Sequence, residues 1–257
     1  MNYRYIYLIK KWPSSGFGED FDSKFRYNTW TLCNFLSRHV RKLHLPTDGD
    51  YNLLSCAITK EKDHVRVCSV NCLDVSLHVS DSEIQRYLTM RSEQERFEFY
   101  FYLLERGYRL AALSHSVPID DFLRLHQQFR DLGYRNEWLF KKVMLREYGI
   151  KVILEHVLTQ YEYNLRLTVT TLKGENVNSG SIYTTYPDDI FFNKNVRKVV
   201  VTESKLLVAD FLDYPQFECQ LDDLASGIIR SKCLDAKTKL YIPNDDNIEE
   251  FRKLRWD

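Results

Sequence analysis

Between Ser80 and Gly149, apolar residues recur at helical spacing. Ile84, Tyr87 and Leu88 share one helical face, and Phe97, Tyr100, Phe101 and Leu104 repeat it at i, i+3, i+4 and i+7. A serine precedes each run with a glutamate three residues on, Ser80 with Glu83 and Ser92 with Glu95. In this capping-box spacing, hydroxyl and carboxylate satisfy each other's unpaired amides. Gly107 stands where a left-handed C-cap would close the second helix. Ser116 and Pro118 open a third, with Ile119, Phe122, His126 and Phe129 as its inner stripe and Gly133 at its end. A fourth helix is expected from a cap at Asn136, with Leu139, Phe140, Val143 and Met144 inward, as far as Gly149.

On either side of this block the period falls to two. Tyr3, Tyr5, Tyr7 and Ile9 alternate with Arg4, Ile6, Leu8 and Lys10, and both sets are partly apolar, which predicts a strand covered on both faces. Residues 14–22 have turn chemistry. A helix is expected from about Lys24, with Phe25, Thr29, Leu32, Cys33, Leu36, Val40 and Leu43 inward, stopping before Pro46. Strands are expected at 53–59, 65–70 and 73–79, then at 151–158, 161–171, 181–186, 196–202 and 206–212. Ile248, Phe251 and Leu254 suggest a short helix after Pro243. The order is strand–helix–strands, a central helical block, then a mostly antiparallel sheet, which is an α+β arrangement and not an alternating one. No repeat or low-complexity linker interrupts it. Residues 1–257 are therefore expected to form one compact unit, with 1–149 and 150–257 as its subdomains.

Composition narrows the class. Apolar residues make up 44% and charged residues 28%, the values of a globular chain. No apolar run approaches the roughly 20 residues of a membrane span, and the N-terminus carries no signal-peptide pattern. A cytoplasmic protein without membrane partners is the expectation. Cys33, Cys56, Cys68, Cys72, Cys219 and Cys233 follow no C-x-x-C spacing and read as reduced thiols, not as a disulfide framework. Net charge is zero; residues 1–80 hold 11 basic and 8 acidic groups, residues 174–257 hold 11 and 15. That lack of a basic surplus argues against nucleic acid as a partner.

Three constellations carry candidate chemistry. Pro187-Asp188, followed by Glu203 and Lys205 behind the valines 199–201, fits the PD-(D/E)xK pattern of metal-dependent nucleases. There an aspartate and a glutamate on neighbouring strands hold a divalent ion and the lysine helps position the attacking water. The competing reading makes Asp188 a turn residue and Glu203 and Lys205 solvated strand ends. His64, Cys68, Cys72 and His78 are residue types that zinc accepts, but at no established spacing, so no metal or other cofactor is expected. His126 lies in an apolar stripe and reads as a buried structural histidine; His115 has serines beside it but no nucleophile elbow. Finally, carboxylates crowd the last third of the chain. Asp210, Asp213, Asp222 and Asp223, with Asp188, Asp189, Asp245, Asp246, Glu249 and Glu250, read either as a solvated face or as a surface that steers a basic protein partner. The 17 tyrosines and 4 tryptophans suit such an interface.

The stretch GYRNEWLFKKVMLREYGIKVILEHVL, residues 133–158, followed by the strand at Tyr161, resembles the small cytoplasmic immunity proteins of bacterial polymorphic-toxin loci in its order of helix, glycine, strands and aromatic residues. The resemblance covers about a fifth of the chain. It implies a protein that binds a cognate toxin and blocks its active site, with no catalysis of its own. A nuclease using Asp188, Glu203 and Lys205 is the alternative.

Overall fold

The computed structural model describes residues 1–11, 16–18, 21, 25 and 28–234. The terminal helix expected on Ile248, Phe251 and Leu254, the start of the first helix near Lys24 and the acidic residues 245–250 lie outside them. The fold is α+β, and the described chain divides into two compact units between Asn136 and Glu137, ahead of the division expected at residue 149.

In the first unit, β1 (Tyr5–Lys10) is followed by α1 (Trp30–Leu43), which returns the chain so that β2 (Leu53–Thr59) runs parallel to β1. The hairpin β3 (His64–Cys68) and β4 (Cys72–His78) completes a sheet of order β1-β2-β4-β3, with β4 parallel to β2 and β3 antiparallel at the edge. The register puts Ile6, Leu8, Leu54, Cys56, Ile58, Leu73, Val75 and Leu77 on one face, all buried in the core that the helices cover. On the opposite face Ser55, Ala57, Thr59 and Ser76 are buried too, so the two central strands are covered on both sides. Edge strand β1 does not leave its outer amides bare. Ile6 N donates to Ser37 Oγ (3.1 Å) and Leu8 N to Cys33 Sγ (3.2 Å), both from α1.

Helices α2 (Asp81–Thr89) and α3 (Glu93–Ala111) start on the two capping boxes. Ser80 N donates to Glu83 Oε2 at 2.8 Å and Ser92 N to Glu95 Oε2 at 3.1 Å, and each serine hydroxyl accepts in return. Gly107 does not cap α3, which runs through it to Ala111. Helix α4 (Ile119–Asp131) begins directly after Pro118 and is closed by Gly133 at φ +64°, with Tyr134 N reaching back to Phe129 O (2.9 Å). His126 is buried on it, stacked 4.4 Å from Phe101 and 3.1 Å from the Tyr108 hydroxyl, and burial pushes its pKa down to about 3.

The expected fourth helix is a strand, β5 (Asn136–Leu145). Asn136 caps no helix. It is buried, donates to Thr31 O (2.9 Å) and accepts from Arg38 Nη2 (2.7 Å). In β5, Trp138, Phe140 and Val143 pack against the second core, whereas Leu139 and Met144 are exposed.

That core belongs to the second unit. Strands β5, β6 (Ile150–Leu158), β7 (Tyr163–Thr171) and β8 (Asn176–Thr185) form a sheet in sequence order. A short helix α5 (Asp189–Phe192) leads to β9 (Lys198–Val201), β10 (Lys205–Ala209), β11 (Pro215–Gln220), helix α6 (Leu221–Ala225) and the short β12 (Lys232–Cys233). These last four strands form an antiparallel sheet of order β12-β11-β10-β9. One apolar cluster joins the two sheets: Tyr183 lies 4.5 Å from Phe217, and Tyr163 stacks on Phe192 at 3.9 Å. Among the described residues, no helix is long and apolar enough to cross a membrane.

Candidate functional site

The residues of the nuclease pattern lie on different elements of this framework. Glu203 is not late in a buried strand. With Ser204 it forms the turn between β9 and β10, closed by Thr202 N donating to Lys205 O (2.9 Å), and its side chain is exposed. The valines ahead of it lie on an edge strand, and Val201 is itself exposed. Lys205 Nζ is engaged at 2.9 Å by Glu218, whose carboxyl it holds below the usual range. Asp188 precedes α5, where its carbonyl accepts from Phe191 N (2.9 Å). A groove of about 310 Å³ is lined by Met144, Tyr148, Val201, Glu203 and Leu221 among others, but neither Asp188 nor Lys205 lines it. Among the described residues, no three His, Cys, Asp or Glu side chains are grouped to hold a metal ion. The set His64, Cys68, Cys72 and His78 is split. Cys68 and Cys72 sit opposite each other at the turn of the β3–β4 hairpin, His64 pairs with Ser76 farther along it, and His78 Nδ1 lies 3.1 Å from Lys60 O. His115 Nδ1 lies 3.4 Å from Asp48 Oδ1, and Asp48 Oδ2 accepts from Ser116 N (2.6 Å), which ties two loops of the first unit together.

The four aspartates marked as partner-binding serve three local purposes. Asp222 and Asp223 occupy the first turn of α6, where carboxylates favour the positive end of the helix dipole. Asp213 pairs with Lys198 (2.9 Å) and takes φ +66° in the β10–β11 turn. Asp210 builds that turn: Oδ1 accepts from Leu212 N (2.8 Å) and Tyr214 N (2.9 Å), and Oδ2 accepts from Gln216 Nε2 (3.1 Å). Asp210 and Asp213 therefore share one loop. Asp222 and Asp223 follow the far end of β11, a strand length away, roughly 20 Å at the usual rise.

What the turn presents is apolar. Phe211, Leu212 and Tyr214 are 60%, 59% and 64% exposed, three large side chains within four residues. Beneath them, Val208, Ala209 and Phe217 are buried, and the backbone is fixed on its flank by Phe211 N donating to Lys194 O (3.1 Å) and Arg197 N to Ala209 O (2.9 Å). Large rigid apolar groups held in water by a hydrogen-bonded turn are costly to leave unburied and lose little entropy when a partner covers them. Sequence patterning concealed this site because residues 206–212 read as one continuous strand, whereas β10 ends at Ala209.

Comparison with protein-family models, curated proteins and solved structures returns no match. The geometry of the turn is what carries the functional reading.

Proposed function

We propose that the chain acts by binding another protein, with the Phe211–Tyr214 turn as the centre of its contact surface. In its most concrete form it is a cytoplasmic immunity protein that neutralises a cognate bacterial toxin and catalyses nothing itself. The observation that carries the reading is the projection of Phe211, Leu212 and Tyr214 from a turn fixed by Asp210. Aromatic and aliphatic anchors of this kind supply most of the energy of protein interfaces, roughly 1–3 kcal/mol for each truncation to alanine. The Lys198–Asp213 pair and the exposed Lys194 and Arg197 provide a polar rim around them.

The test is a binding and protection experiment with the product of the neighbouring gene. Wild-type protein should form a complex with a Kd on the order of nanomolar and protect cells that express the toxin. The variant carrying Phe211→Ala, Leu212→Ala and Tyr214→Ala should stay folded and lose at least a hundredfold in affinity. Unchanged affinity in that variant would remove the turn from the interface. Metal-dependent cleavage of DNA or RNA by the purified protein, lost on Glu203→Ala, would replace binding with catalysis.

A further inference from the structure

We infer that Cys68 and Cys72 form a reversible disulfide, making the β3–β4 hairpin a site of thiol oxidation. The two residues are direct partners in the antiparallel register of β3 and β4. Directly opposed residues of an antiparallel pair have Cα atoms about 4.5–5.5 Å apart and Cβ atoms on the same face. A disulfide requires about 4.4–6.8 Å between Cα atoms. The ladder therefore holds the two Cα atoms within the separation that a bridge needs. Ser69, Val70 and Asn71 make the connection, and Asn71 takes φ +56°, where the turn demands it. Asn71 O accepts from Asn52 N (3.0 Å), which anchors the turn to the end of β2.

The two thiols differ in a way that assigns their parts. Cys72 is buried, and its pKa is pushed up to about 12, chiefly by that burial. Cys68 is only half-buried, and Arg66, on the same strand two residues before it, pairs with Asp74 (Nε to Oδ2, 3.2 Å). Peroxide reaches the more exposed sulfur first, so Cys68 attacks and Cys72 resolves. With a peroxide as oxidant, the Cys68 thiolate breaks the O–O bond and takes one oxygen as a sulfenic acid, releasing hydroxide, which leaves as water. Cys72 then attacks the Cys68 sulfur, loses its proton and expels the second water. Two thiols give up two electrons and two protons, and the peroxide accepts both. By contrast, Cys33, Cys56 and Cys219 are buried, and Cys233 faces Phe217 in its register.

The test uses the full chain, folded and reduced, with one equivalent of hydrogen peroxide. Intact mass should fall by two hydrogens, and tryptic mapping after alkylation should place an internal bridge in the peptide Val67–Arg86, which holds both cysteines. Glutathione should restore the thiols. Cys72→Ser should stop at a dimedone-reactive sulfenic acid on Cys68, and Cys68→Ser should abolish the two-hydrogen loss; far-UV circular dichroism checks that both variants fold. Oxygen added at Cys68 of the wild type with no hydrogens lost, a bridge in another peptide, or a bridge that forms only in urea would overturn the proposal.

Discussion

Gly107 shows how one residue can be read correctly as special and for the wrong reason. Its place after an apolar stripe suggests a C-cap, yet it lies inside α3 and is buried there. A Cβ at that position would collide with Cys56 Sγ and come within 3.4 Å of Leu77 Cδ1. The glycine is needed because the helix backbone rests directly on β2 and β4, a contact between distant residues that local periodicity does not encode. Gly107→Ala gains up to about 1 kcal/mol of helix propensity, but overpacking of this kind costs about 1–3 kcal/mol. The variant should be net destabilised in urea unfolding. Adding Cys56→Ala should recover part of that loss, giving a coupling well outside additivity. Equal loss with and without Cys56 would separate the two residues.

At the scale of elements, what the sequence reveals is local chemistry. Both capping boxes form because Ser80, Glu83, Ser92 and Glu95 need only one another. The strand at β7 is legible because Tyr163, Leu165, Leu167 and Val169 alternate without interruption. In β5 the inward positions Trp138 and Phe140 are followed by Val143 and Leu145, so the alternation changes phase at Lys141 and Lys142 and imitates a helical stripe. The stretch from Asn136 to Leu158, expected as helix, glycine and strand, is consequently two strands, β5 and β6, with Gly149 in the turn between them. The candidate site was hidden for a related reason: its aspartates are visible as charge, but only the fold shows that Asp210 is a turn-builder and that Phe211, Leu212 and Tyr214 are what it displays. Asp210→Ala should therefore lower stability by about 1–2 kcal/mol and weaken partner binding as well, because the tip loses its shape. Asp210→Asn keeps the oxygen that accepts from Leu212 N and Tyr214 N and gives up only the Gln216 contact, so it should retain most of both, as thermal unfolding and a binding isotherm would record. Equal loss of affinity in the two variants would mean that the carboxylate charge, and not the turn, meets the partner.

Across the whole molecule, neutral net charge leaves pH sensitivity to individual buried groups, and His126 is the strongest of them. In the folded chain its pKa lies at about 3, through burial first and the Arg130 charge second, against about 6.5 when unfolded. Between those values the unfolded chain binds a proton that the folded chain refuses, so stability is full above pH 6.5 and falls as pH drops toward 3. Each pH unit inside that window removes about 1.4 kcal/mol for one such group. His39, stacked on Phe35 and lowered to about 4 by burial and the nearby Arg38 and Lys42, acts in the same direction with more solvent around it. Asp48, held low by Tyr51 and the Ser116 amide, adds a decline at the acid end, where its carboxylate becomes protonated. Urea unfolding of the wild type should therefore give a flat ΔG from pH 8 to 6.5 and a steady fall from 6.5 to 4. Replacing His126 by Phe leaves the Tyr108 hydroxyl without that partner, which lowers ΔG above pH 6.5 by about 1–3 kcal/mol. The same change removes the titrating ring, so the slope between pH 6 and 4 should flatten while the intercept drops. A parallel shift with the slope unchanged would show that His126 takes up its proton in the folded state as readily as in the unfolded one.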